Sequence, residues 1–172
     1  MGFTYNFPRP AVTTDTMVFR EGNHCIEILL IKRKKDPYKD YWALPGGFLE
    51  IEETPEDGAR RELKEETGLD IDVLKEAGTF GDIDRDPRGR TITIAFYTFI
   101  NHRNRKIAAK TDAAEVKWFS IKELPEMAFD HKEILKEGIL KLKSHIMLAK
   151  LDIIHFFDLD VTKLKKIFKC LD

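Results

Sequence analysis

The 172-residue sequence predicts a mixed domain of the α/β or α+β class, on three observations. Short β-branched and apolar segments of strand length recur along the chain, a helix with clear start and stop signals stands among them, and apolar stripes of helical period follow near the end. A chain of this length builds one domain with a sizeable core. Charge is nearly balanced, 29 Lys and Arg against 30 Asp and Glu. That balance gives no argument for a broadly basic nucleic-acid binder or for attraction to a membrane surface.

The elements follow in order. Ala11 to Arg20 and Cys25 to Arg33 read as two strands, and Glu21-Gly22-Asn23-His24 between them suggests a hairpin. Lys32 to Asp40 is charged and contains Pro37, so it reads as a loop leading to Tyr41 and Trp42, two aromatics expected to pack rather than to meet a base. Thr54 and Pro55 open a helix, a hydroxyl at the N-cap and a proline at the first helical position, with Asp57 placed to answer the cap and Gly68 to end it. Asp70 to Phe80 and Thr91 to Ile100 read as strands around a loop of three arginines and three aspartates, and Ala113 to Phe119 reads as the last strand after a basic excursion. Ser120 to Met127 suggests a short helical turn cut by Pro125. Asp130 and Glu133 make a capping pair for a longer helix whose stripe of Ile134, Leu135, Ile139, Leu142 and Ile146 faces a core or a second copy of the chain. A second amphipathic segment starts at Asp160.

The helix that begins at Pro55 carries the chemistry. Glu62, Glu65 and Glu66 stand at i, i+3 and i+4, so all three carboxylates share one face while Ala59 and Leu63 turn to the core. Three clustered anions repel unless a cation joins them. No Cys or His lies in this stretch to favour zinc, so a hard cation with oxygen ligands fits, Mg²⁺ with Mn²⁺ as the alternative. Upstream, Pro45-Gly46-Gly47 gives a loop able to bring backbone close to the helix or to a ligand. Alone, three glutamates read as a solvated acidic face.

The whole pattern overturns that reading. Gly47, five residues, Glu53, seven residues, then Arg61-Glu62-Leu63-Lys64-Glu65-Glu66-Thr67-Gly68-Leu69 resembles the Nudix box with every defining position filled. The resemblance implies an α/β/α sandwich with a mixed central sheet over residues 1–150, followed by a short helical appendage over 151–172. It also implies metal-dependent hydrolysis of nucleoside diphosphate derivatives. Carried over by position, Glu62, Glu65 and Glu66 would be metal ligands, with Glu65 also catalytic, Arg61 would orient carboxylates and Glu53 would support them. The segment from Thr79 to Tyr97, with Pro87, resembles the subgroup acting on ADP-ribose, which makes a small-molecule nucleotide the expected partner.

Outside the box, Arg85, Arg88 and Arg90 are candidates for binding substrate, because guanidinium forks suit phosphate. Arg33, Gly47 and Pro87 join them as candidate substrate residues. Asp112 and Glu115, flanking the start of the last strand, are candidates for the group that activates water. The tail, from Trp118-Phe119 through Asp130-His131, resembles Nudix-related regulators of NAD metabolism that carry a DNA-binding domain after an ADP-ribose sensor. The complete box and the short tail favour the enzyme. Five histidines show no ligand spacing. Cys25 and Cys170, far apart in sequence, argue against a disulfide framework and for a reducing compartment. With no signal-peptide pattern and no apolar run long enough to cross a bilayer, the expected location is the cytoplasm.

Overall fold

Strand β1 (Ala11–Glu21) is buried on both faces through its middle, and the rest of the domain assembles on it. The structure is a computed structural model, and it describes residues 4–100, 107–109, 113–150, 167 and 169–170. The remaining elements are β2 (Ile26–Arg33), β3 (Trp42–Ala43), β4 (Gly46–Phe48), α1 (Pro55–Thr67), β5 (Lys75–Phe80), β6 (Thr91–Ile100), β7 (Ala113–Ser120) and α2 (His131–Lys150). Along one edge β1 pairs in parallel with β6 from Ala11↔Thr91 to Arg20↔Ile100. Its other edge is shared. Phe19 to Glu21 pair with β2, whereas Thr13 to Asp15 pair with β4, both antiparallel. Between these stretches β2 leaves β1 and runs beside β7 and β3, so the sheet forks. The fork opens a space that loops and helix ends can line.

Alternation along β1 divides the core. Met17 and Phe19 point to one face, where they meet Ile28, Leu30, Tyr97 and the α2 residues Ile134, Leu135, Leu142 and Ile146. Val18 points to the other, where it meets Leu29, Phe96 and the α1 residues Ala59 and Leu63. The layers are therefore helix, mixed sheet, helix, as the resemblance implies. The α2 stripe is spent on the core. Leu63 and Leu142 are fully buried, and each such side chain contributes on the order of 1.5–3 kcal/mol of burial.

Helix α1 starts and stops where its signals place it. Thr54 has extended backbone and accepts the Asp57 amide at 3.2 Å, Pro55 follows, and Gly68 at φ 76° returns its N–H to the Lys64 carbonyl at 2.9 Å.

Four expectations need correction. The strand expected from Asp70 begins only at Lys75, because Leu69, Ile71 and Leu74 are taken instead as buried anchors in the α1 cluster. Ser120 to Met127 forms a single turn closed by the Glu123 N–H on the Ser120 carbonyl and does not go on as helix, because its other backbone bonds leave the segment: Ile121 N–H donates to the Ile26 carbonyl and the Glu126 carbonyl accepts from the Trp42 N–H. Asp130 does not spend its carboxylate on the α2 cap, since both oxygens accept from Arg85. Cys25 and Cys170 are joined as a disulfide with Cα atoms 5.5 Å apart, because the β1–β2 hairpin end meets the C-terminal helical residues that include buried Ile167. Separation along the chain carried no information about that meeting. Most of the segment after Asp160 lies outside the described residues. No helix among the described residues is long and apolar enough to cross a membrane.

Candidate active site

Arg61 sits at the centre of the box. Its Nη2 donates to Glu53 Oε1 at 2.7 Å and to the Phe48 carbonyl at 3.1 Å, its Nε to Glu53 Oε2 at 3.0 Å, and its Nη1 to Glu62 Oε1 at 2.8 Å and Glu65 Oε2 at 3.4 Å. One guanidinium thus ties α1 to the end of β4. Glu53 supports it from the loop, taking the Glu50 amide at 2.8 Å as well. Hydrogen bonding from Arg61 holds the Glu53 carboxyl below the usual range, and the same bond raises the Arg61 pKa further. Burial pushes Glu62 up, against the pull of Arg61.

The glycines of the loop form β4 and bring backbone against the helical carboxylates. Gly46 N–H donates to Glu66 Oε2 at 2.9 Å, and Glu66 is only 6% exposed. A Cβ on Gly47 would fall 2.5 Å from Glu62 Cδ, so only glycine leaves that carboxylate its place. A cavity of about 400 Å³ opens at the fork of the sheet, and Gly46, Gly47, Glu62, Glu65 and Glu66 form one part of its wall.

The donor set is all oxygen, which fits Mg²⁺ or Mn²⁺. Among the described residues, no three His, Cys, Asp or Glu groups are gathered into a ready-made metal cluster. Arg61 holds oxygens of Glu62 and Glu65, and the Gly46 amide holds one of Glu66.

A second set of charges lies in the buried part of the wall. Arg85 donates with Nε and Nη2 to both Asp130 oxygens, at 2.8 and 2.7 Å, and lies 3.9 Å from Asp15. Asp15 also accepts from Thr93 Oγ1 at 2.6 Å. His131 Nδ1 accepts the Leu44 amide at 2.9 Å, and its Nε2 is 3.6 Å from Asp15. That spacing would suit an ion pair, but full burial pushes the His131 pKa down and Nδ1 is already an acceptor, so the ring is neutral and the contact polar.

Of the residues expected from sequence to serve substrate, Arg33, Gly47, Arg85 and Arg88 line the cavity, while Pro87 and Arg90 do not. The arginine forks are already used within the protein. Arg85 holds Asp130, Arg88 holds Asp86 with Nε at 3.0 Å and Nη2 at 2.7 Å, and Arg90 holds the Gly81 and Asp82 carbonyls. Glu115 lies on β7, in strand register with Lys32 of β2 and outside the cavity wall, and Asp112 lies outside the described residues. Sequence reasoning missed Asp15, Phe48, Phe129 and His131, all of which line the cavity. Only Asp15 left a signal, a carboxylate inside a strand otherwise fit for burial.

A model of the NUDIX domain matches residues 9–138. The chain belongs to the NUDIX family. It is 43% identical over 128 residues to the ADP-ribose pyrophosphatase of Methanocaldococcus jannaschii, a match covering 74% of this chain and 72% of that protein. It is 32% identical over 143 residues to the ADPR responsive transcriptional repressor NtrR of Acinetobacter baylyi, covering 81% of this chain but 57% of the repressor. Among solved structures, the NUDIX domain of Shewanella oneidensis NrtR complexed with ADP ribose superposes with a TM-score of 0.74 at 25% identity, over 79% of this chain and 90% of that one. With its box complete, this NUDIX chain is a Nudix hydrolase, of a family that generally works with a divalent metal.

Proposed function

We propose that the chain hydrolyses the diphosphate of ADP-ribose, giving AMP and ribose 5-phosphate. The observation that carries the reading is the placement of Glu62, Glu65 and Glu66 with the Gly46-Gly47 backbone on one cavity wall, in a space that also meets Arg33, Arg88 and two phenyl rings. Such a space offers an acidic end and a cationic, aromatic end to one extended nucleotide. Glu62, Glu65 and Glu66 would hold Mg²⁺, or Mn²⁺ in its place, and the bound ion supplies charge neutralisation and a more acidic water. Arg61 fixes the directions of those carboxylates, with Glu53 fixing Arg61. Attack on phosphorus breaks one phosphoanhydride bond, and the proton of the attacking water passes to a carboxylate of the cluster.

Product analysis tests the reading. AMP released from ADP-ribose with Mg²⁺, and not with chelator, is the expected result. The likeness to a repressor supports a second reading, in which ADP-ribose is a sensed ligand. Tight binding of ADP-ribose without turnover would favour it.

A further inference from the structure

The part of the cavity wall away from the box glutamates is aromatic and cationic. Phe129 lines it, although its backbone sits at φ 52°, in the left-handed region where a bulky side chain is strained. The strain is held from both sides: Ala128 N–H donates to the Trp42 carbonyl at 2.8 Å, and Asp130 is gripped by buried Arg85. The ring is packed as well, centred 4.7 Å from Tyr38 and stacked on His131 at 5.4 Å. So the fold fixes one phenyl group at the cavity wall against a local preference.

Phe48 brings a second ring. It ends β4, one residue beyond the glycine that Glu62 packs against, and stays 48% exposed. The Arg88 guanidinium reaches both rings, 5.1 Å from the centre of Phe48 and 5.4 Å from that of Phe129. Its edge is closed by bonds from Nε and Nη2 to both oxygens of Asp86, whose side chain is 3% exposed. Burial opposes ionisation of Asp86, but the bonds from Arg88 outweigh it and keep the carboxyl below the usual range. A guanidinium whose edge and charge are answered by a carboxylate is a poor anchor for a diphosphate. Its flat face lies over the two rings and extends their aromatic surface, on which another flat group can stack.

We propose that Phe48, Phe129 and the Asp86-held guanidinium of Arg88 form the seat of the nucleobase, which stacks there while the diphosphate lies toward the box. This rests on the ADP-ribose reading above for the identity of the base as adenine. Two phenyl faces and a planar cation recognise a π-face and do not require a particular hydrogen-bond edge. The seat therefore explains binding of a nucleotide and leaves choice among bases to other contacts.

Calorimetric titration of the full chain with AMP and, separately, with ribose 5-phosphate tests the seat. Suitable variants are Phe129→Asn, which removes the ring while placing a residue tolerant of the left-handed region, Phe48→Ala at an exposed strand end, and Arg88→Ala. Each should weaken AMP by about 5- to 100-fold, the scale of one base–aromatic stack, with ribose 5-phosphate unchanged. For ADP-ribose, the loss should fall on KM with kcat within a few-fold. Wild-type protein binding AMP no better than ribose 5-phosphate overturns the seat. So does equal AMP binding in Phe129→Asn, Phe48→Ala and wild type, and if ADP-ribose is still turned over, the hydrolase reading survives that failure. Conversely, AMP binding that depends on both rings with no turnover of ADP-ribose upholds the seat and overturns the hydrolase.

Discussion

Two charged segments of this molecule line one cavity, yet they are built in opposite ways. In the box, Arg61 finds Glu53, Glu62, Glu65 and the Phe48 carbonyl within a short stretch of chain, and the resulting net is partly open to water. In the loop between β5 and β6, Arg85 reaches across the fold to Asp130 and Asp15, with its own side chain 4% exposed. The first arrangement orders carboxylates along one wall of the cavity, where the proposed reading has them hold a metal ion. The second fastens the N-terminal end of α2 to the sheet. A guanidinium near a catalytic centre is therefore not by itself a substrate contact, and burial together with the distance to its partner tells the two kinds apart.

The largest effect should come from breaking the buried pair. Arg85→Ala leaves Asp130 and Asp15 without their shared cation and should cost about 3–5 kcal/mol of unfolding free energy in a urea titration. A loss under about 1 kcal/mol would erase the contrast with the box. Next, Glu66→Gln keeps an oxygen for the Gly46 amide but removes a charge from the box, so the fold should persist while kcat falls by roughly 100-fold or more at saturating Mg²⁺. Wild-type turnover in that variant would remove Glu66 from the metal set.

The smallest effect concerns His131. Its folded pKa lies below the ordinary value of 6.5, so below that pH the unfolded chain takes up a proton that the folded protein resists. Its contribution to stability is whole above about 6.5 and is lost as pH falls through the folded value. Urea midpoints from about pH 7.5 down to about pH 5.5 should fall for the wild type and fall less for His131→Asn, which keeps an acceptor for Leu44. Parallel profiles would assign the slope to other groups.

How much of this was legible in the sequence follows the same division. The helix cap at Thr54, the αL glycine at Gly68 and the shared face of Glu62, Glu65 and Glu66 are set by spacings of three and four residues, and the structure keeps all of them. The strands β1, β2, β6 and β7 were legible from apolar patterning because each is anchored in the core. What stayed hidden was set by the meeting of distant segments. Nothing near Arg85 announces Asp130, nothing near Cys25 announces Cys170, and the place of Phe129 depends on a left-handed turn that a phenylalanine does not advertise. Local spacing marked Arg88 as a candidate for substrate but did not show that its guanidinium edge is held by Asp86.

The parallel pairing of β1 with β6 has a consequence for the order in which the molecule can be made. During synthesis β1 and the whole box emerge before β6, yet the long edge of β1 has no partner until Thr91 to Ile100 arrive. Contacts so far apart in the chain are slow to close, and an unpaired strand edge invites association while it waits. A nascent chain halted just after α1 would thus carry every glutamate of the box on a support that is still half built.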